Sequence, residues 1–207
     1  MKINLSSRAA LLIIAAMFIL PLILAWLMLS GAIDYKPGSG RNLGELVKPL
    51  VAVDWESRLI TIQDDIEEPG KKTPDFFSNH WVILHVVPVP CTSSCMGAIT
   101  GLRQVHKASG RDQARIRIAL LLQDVRQTGS VNGLKNIYPL FQLVENPDGT
   151  IQPVLEEIAS RYSATANGSS YLIDPIGNIM MFYQAGSDPN KLKKDLKRLL
   201  TWSKLDK

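Results

Sequence analysis

The stretch Trp81–Ile99, WVILHVVPVPCTSSCMGAI, decides how this chain folds. Trp81 to Val87 is an apolar run broken only by His85 and rich in β-branched side chains. Such a run suits a strand buried on both faces, as in a parallel sheet covered by helices. Pro88 and Pro90 end it. From Cys95 to Ser109 the apolar positions Met96, Ile99, Leu102, Val105 and Ala108 recur every third residue, which is helix spacing, and Gly110 follows as a stop. The next run, ARIRIALLLQD from Ala114 to Asp124, alternates and then turns wholly apolar, so it reads as a second buried strand. The unit is strand, helix, strand, with a right-handed crossover expected.

The only two cysteines of the chain, Cys91 and Cys95, fall at the joint between strand and helix. A helix N-terminus carries partial positive charge and unbonded N–H groups. That environment lowers a thiol pKa and favours thiolate, the form that attacks disulfides and binds metals. The spacing lets both sulfurs turn toward one point. They can close a disulfide if their Cα atoms come within ~7 Å. They can also hold one soft metal ion such as Cu(I). Two blander readings stand beside these. A structural disulfide closing so small a loop would remove little chain entropy. Two unrelated core cysteines would be ordinary packing. A four-thiolate zinc or iron–sulfur site is excluded within one chain, because only two cysteines exist. Their place at a helix start favours a redox or metal role.

Outward from this unit the punctuation is clear in places. SSYLIDPIGNIMMFY, Ser169 to Tyr183, has two strands around an Asp174–Gly177 turn, a hairpin signature. Asp188 and Pro189 open a last helix as N-cap and first helical residue. Leu192, Leu196, Leu199 and Leu200 form its buried stripe, and Lys191, Lys193, Lys194 and Lys197 its solvated face. LVKPLVAVDWESRLITIQDD, Leu46 to Asp65, reads as one or two short strands, and Glu67 to Phe77 as a loop. Residues 134–162 read as helical in parts, with a loop at Asn146 to Thr150. Of the three histidines, His85 reads as a hydrogen-bonded core residue. His106 lies about 16 Å along the helix from Cys95, and His80 precedes the strand at the end far from the thiols. Met96 is a soft thioether beside the thiols and reads first as a core filler.

Ala9 to Leu29 contains no charge and is long enough to cross a bilayer core of ~30 Å as a helix. Ser30-Gly31-Ala32 resembles a signal cleavage site, but the apolar run exceeds the usual 7–15 residues or so of a secretory signal. A retained anchor is therefore expected over residues 9–30, after a cytoplasmic N-terminus of residues 1–8. Lys2 and Arg8 flank its start and place the N-terminus inside. Residues 31–45 read as a polar tether, and 46–207 as one exported domain. The chain has 23 Lys+Arg and 19 Asp+Glu. With Lys2 and Arg8 set aside, the exported part is nearly balanced, so no nucleic-acid partner is expected.

The order strand, CxxxC at a helix start, strand, YLIDPIG hairpin and final helix resembles the thioredoxin fold, an α/β class with a central sheet flanked by helices. Within it the chain resembles the Sco/SenC family of membrane-anchored assembly proteins for cytochrome c oxidase. The residues that carry this are WVILHVVPVPCTSSC (Trp81–Cys95), LLLQDVRQT (Leu120–Thr128), SSYLIDPIG (Ser169–Gly177) and DPNKLKKDLKRLL (Asp188–Leu200). The resemblance implies that Cys91 and Cys95 are the redox pair and the copper-binding thiols. It places the family's third ligand, a histidine, at Ala166, and the cis-proline of thioredoxin-type reductases at Gly168. It also implies a bacterial inner-membrane protein with one anchor, its domain in the periplasm. Such a protein would assist assembly of the copper centre of a respiratory oxidase, as a Cu(I) carrier or as a thiol–disulfide reductant. An oxidase subunit or another assembly factor would be its partner. A non-catalytic interaction subunit and a general periplasmic oxidoreductase are the alternatives. Cys91, nearer the loop, is expected to be the attacking thiol.

Overall fold

A computed structural model describes residues 7–30, 42–61, 76–123, 133, 136 and 138–203. Most of the expected tether, the loop over 62–75 and the segment from Asp124 to Thr128 lie outside the described residues. The chain divides into two compact units, Met1–Arg41 and Asn42–Lys207.

The first unit contains helix α1, Ser7–Leu29, with Pro21 inside it. Its 23 residues extend ~35 Å at helical rise, and side chains such as Met17, Phe18 and Leu22 are exposed. The continuous stretch of described side chains in it runs only from Leu11 to Leu27. Among the described residues no helix is long and apolar enough to cross a membrane.

Among its described residues the second unit holds a 7-stranded mixed sheet. Its strands are β1 Glu45–Ala52, β2 Ile60–Thr61, β3 Trp81–Val87, β4 Ile116–Leu122, β5 Phe141–Glu145, β6 Ser170–Ile173 and β7 Asn178–Tyr183. The spatial order is β1-β7-β6-β3-β4-β5-β2. β3, β4 and β5 run parallel, and the remaining neighbours pair antiparallel. The helices are α2 Trp55–Arg58, α3 Ser93–Ala108, α4 Gln152–Ser160 and α5 Pro189–Trp202.

β3 is central, and all of its residues are buried, as the apolar run predicts. Side chains alternate across a strand. Trp81, Ile83 and Val87 join the core under α3 and α5, with Ile99, Leu102, Leu192 and Leu196. Val82, Leu84 and Val86 join the core on the other face, with Leu155, Ile158 and Ala159 of α4 and Trp55 and Phe77. Each fully buried aliphatic side chain of this kind contributes about 2 kcal/mol.

The hairpin and last helix form where expected. Asp174 Oδ1 accepts from the backbone N–H groups of Ile176 and Asn178 and so holds the β6–β7 turn. The Asp188 side chain caps α5 by accepting from Asn190 N at 2.9 Å. The segment over 134–162 is helical in part, as expected, at α4, and it also holds a strand. Phe141–Glu145 is a strand that pairs in parallel with β4, and α4 follows the Asn146–Thr150 loop. FQLVE is too short to show a period of its own, and its place beside β4 decides it.

Candidate redox site

β3 ends at Val87, and a short loop carries Cys91 to the start of α3. Thr92 is the N-cap in extended backbone, and Met96 N donates to Thr92 O at 3.0 Å. Cys95 lies in the first turn of α3. The two cysteines are joined as a disulfide, with Cα atoms 5.3 Å apart. Cys91 is half-buried and Cys95 is buried.

A cleft of about 430 Å³ opens beside the pair, lined by Cys95 and Thr92 on one side and by Asn167, Gly168, Gly186 and Ser187 on the other. The far wall is tied down by Ser169, whose hydroxyl donates to Thr165 O at 2.7 Å and accepts from Ala185 N at 3.1 Å. Gly168 N donates to Val86 O, and Val86 N donates to Ser169 O, both at 3.0 Å. Gly168 has φ +73°, where a side chain would be strained. The resemblance puts the reductases' cis-proline here, and this conformation is one proline cannot adopt. Asn167 Oδ1 accepts from Gln123 Nε2.

The position expected for a third copper ligand needs correction. Ala166 is fully buried in the core on the opposite face, among Leu155, Ile158 and Val86, and its N–H donates to Glu156 Oε2. The next residue, Asn167, is the one that faces the cleft. Among the described residues no group of three His, Cys, Asp or Glu side chains is placed to hold a metal ion. The described residues therefore do not assemble a three-donor copper site.

His85 is a core residue, as expected, and lies on the same sheet face as Cys95. Its Nδ1 is 2.9 Å from Ser170 Oγ. Burial pushes its pKa down to about 4, against a smaller upward effect of the Ser169 backbone. His106 is also buried, with Nδ1 2.8 Å from Tyr138 Oη and Nε2 3.1 Å from Ile116 O. His80 is half-buried, its Nδ1 2.8 Å from Ser78 O. Met96 packs against the α3 core. Asp195 was hidden in the sequence. In the lysine-rich α5 it is buried, and its carboxylate accepts from Leu43 N, Gly44 N and Tyr183 Oη. Burial, and then the carboxylate beside it, raise the Tyr183 pKa.

A parallel β3-α3-β4 unit, an antiparallel β6–β7 hairpin and a cysteine pair at the N-terminus of α3 define a thioredoxin-like domain. The chain belongs to the family described as transmembrane-like, thioredoxin-like, C-terminal domain, whose model matches residues 81–203. No curated protein matches the chain. Among solved structures it is similar to apo Sco1 from Thermus thermophilus, with TM-score 0.53 and 10% identity, over 75% of this chain and 95% of that one. It is also similar to yeast Sco1 with copper bound, with TM-score 0.51 and 10% identity, over 65% and 87% of the two chains. The thioredoxin domain of a thiol-disulfide oxidoreductase from Bacteroides vulgatus reaches TM-score 0.48 and 17% identity, over 72% and 98%. The two Sco1 likenesses establish a shared fold and leave the chemistry to this chain's own residues.

Proposed function

We propose that the chain is a membrane-anchored thiol–disulfide exchange protein of Sco type, which reduces the disulfide of a respiratory-oxidase subunit before copper is inserted there. One observation carries the exchange chemistry: a closed Cys91–Cys95 pair at a helix N-terminus, one sulfur half-buried and one buried, beside an open cleft. The helix start favours thiolate at the reduced pair. Cys91 thiolate attacks a target disulfide, a mixed disulfide forms, and Cys95 resolves it by closing on Cys91. The small side chains of Gly168, Gly186 and Ser187 leave room for an extended target segment across the cleft.

Copper enters this reading as cargo of the target, because among the described residues no third donor joins the two sulfurs. The oxidase as destination rests on the Sco-type motifs and fold. The anchor rests on the uncharged run in α1, its exposed apolar side chains and the Lys2/Arg8 flank. It sets the domain in the periplasm of a bacterial inner membrane. The near balance of charge in the exported part argues for a protein partner over a nucleic acid.

Three experiments test the reading. The full-length protein in membranes is equilibrated across a graded thiol/disulfide buffer and alkylated. The pair should pass from disulfide to dithiol within the range of exported redox partners. A pair that resists both reduction and alkylation under native conditions would be a structural staple. A reporter fused after Lys207 should work only in the exported compartment, and cytoplasmic activity would reject the topology. Cys95→Ser should then trap the target as a mixed disulfide on Cys91. Capture of unrelated proteins only would make the chain a general oxidoreductase.

A further inference from the structure

The charges of the exported domain are nearly balanced in number and uneven in place. On the sheet face covered by α3 and α5, α5 carries Lys191, Lys193, Lys194, Lys197 and Arg198. All four lysines are exposed. The acid within α5, Asp195, is buried, and Asp188 is engaged as its N-cap. The bases of α3 are turned inward by comparison, with Arg103 and Lys107 lying over the Tyr138 ring at 6.0 and 5.8 Å. On the opposite face α4 carries Glu156 and Glu157 and no base. The lysine row of α5 ends at Trp202, which is 80% exposed and four residues past Arg198, on the same side of the helix.

The way the chain enters the domain selects the same helix. The Asp195 carboxylate accepts from Leu43 N at 2.8 Å and from Gly44 N at 2.9 Å, so the chain joins the domain against α5. Leu43 is itself 44% exposed there. Helix α1 ends at Leu29. The link from Leu29 to Leu43 can span at most about 50 Å when fully extended. With α1 in a bilayer, a link of that length keeps α5 within reach of the bilayer surface.

We propose that the outer face of α5 is a docking surface for the anionic phospholipid headgroups of the membrane that holds the chain. The inference rests on the anchor reading above and adds a surface to it. Lysine heads reach the phosphate layer on long apolar stems, and the Trp202 ring takes the level where tryptophan collects, between headgroup and hydrocarbon. Four lysines alone bind such a surface weakly and reversibly, and the anchor makes the contact intramolecular in effect, which raises its occupancy. An acidic protein would match the lysines as well. Lipid is favoured because the anchor puts it within reach of this helix at all times. Ser187 and Pro189, at the start of α5, line the cleft beside the cysteine pair. A docked α5 therefore holds that cleft close to the bilayer, where it meets disulfides carried near the membrane surface ahead of more distant ones.

The test is amine labelling of the full-length protein in proteoliposomes, read residue by residue by mass spectrometry. Lys48, exposed on the edge strand β1, is the internal reference. One set of vesicles is phosphatidylcholine, and the other is equal parts phosphatidylcholine and phosphatidylglycerol. Each lysine at an anionic surface favours the docked state about fivefold. Labelling of Lys191, Lys193, Lys194 and Lys197 relative to Lys48 should therefore fall about fivefold or more in the anionic vesicles. Salt at about 1 M, where the Debye length shrinks to ~3 Å, should restore it. Lys194→Gln combined with Lys197→Gln should return Lys191 and Lys193 to the labelling seen in neutral vesicles. Both positions are exposed, so the fold is kept. Extraction of the same vesicles with alkaline carbonate reports the anchor separately. Protein retained after extraction whose four lysines label equally in the two vesicles would overturn the proposal and leave the anchor reading intact. Protein stripped by carbonate would overturn the anchor reading and the proposal with it.

Discussion

One buried histidine lies on α3 near its C-terminus and another on β3, and the two are treated differently. His106, near the C-terminus, is 5% exposed, and both of its ring nitrogens are paired, with Tyr138 and with Ile116 O. Tyr138 packs edge-on against His106 and Phe141, which locks that end. His85, beneath the N-terminal half, is buried as deeply and has one nitrogen paired. Residue type and burial are alike, and the two differ in how many ring atoms are satisfied. One end of the helix is finished core, and the other combines an orphan nitrogen, a cysteine pair and a cleft.

The contrast breaks most visibly at the cysteines. Cys91→Ser should abolish exchange, whereas His106→Asn should leave the exchange rate within about twofold of wild type, since mutations away from the chemistry act on stability. A large kinetic loss in His106→Asn would make the far end of α3 part of the site. Next in size is Ala166→His. Imidazole forced into the fully packed opposite face should destabilise by about 3 kcal/mol or more in a denaturant melt. It should add nothing to Cu(I) affinity, while Asn167→His, which faces the cleft, should increase it. Tighter copper binding by a stable Ala166→His would reverse the assignment of faces.

Acid gives a third test. A histidine whose folded pKa lies below its unfolded value binds fewer protons folded than unfolded. Its contribution is complete above the unfolded value of 6.5 and is lost as pH falls from there toward about 4. For His85 in the oxidised protein the loss should reach about 3 kcal/mol. The pH dependence of His85→Asn should be shallower by that amount over this window, and parallel curves would dismiss the buried neutral imidazole. The smallest effect is structural: His106→Asn should lower stability by about 2 kcal/mol, by leaving the Tyr138 hydroxyl or the Ile116 carbonyl unpaired.

The sequence shows β3, α3 and the hairpin because their patterns are local. Seven buried positions in a row, a repeat every third residue and a Pro-Ile-Gly turn each act through neighbours in the chain. β5 is invisible because FQLVE becomes a strand only beside β4. Asp195 is invisible because a carboxylate among lysines reads as solvated, while its partners lie about 150 residues back. Cys91 and Cys95 were legible as a pair. The side facing them was not, because a shift of one residue in the 166–168 loop exchanges the faces of the sheet. The free nitrogen of His85 depends on Ser170, far along the chain, and on a space that no spacing rule describes.

The Asp195 cluster also bears on how a tethered domain carries load. Leu43 and Gly44, just before β1, hang from that carboxylate, which Tyr183 and Arg198 hold from β7 and α5. A pull arriving along the chain from the N-terminal side meets this clasp before it reaches β1. The strain is shared between a strand and a helix, and the edge strand is spared from peeling. In a force measurement pulling from residue 42, Asp195→Ala should let β1 detach at lower force, while pulling on the C-terminal end should feel little of the change.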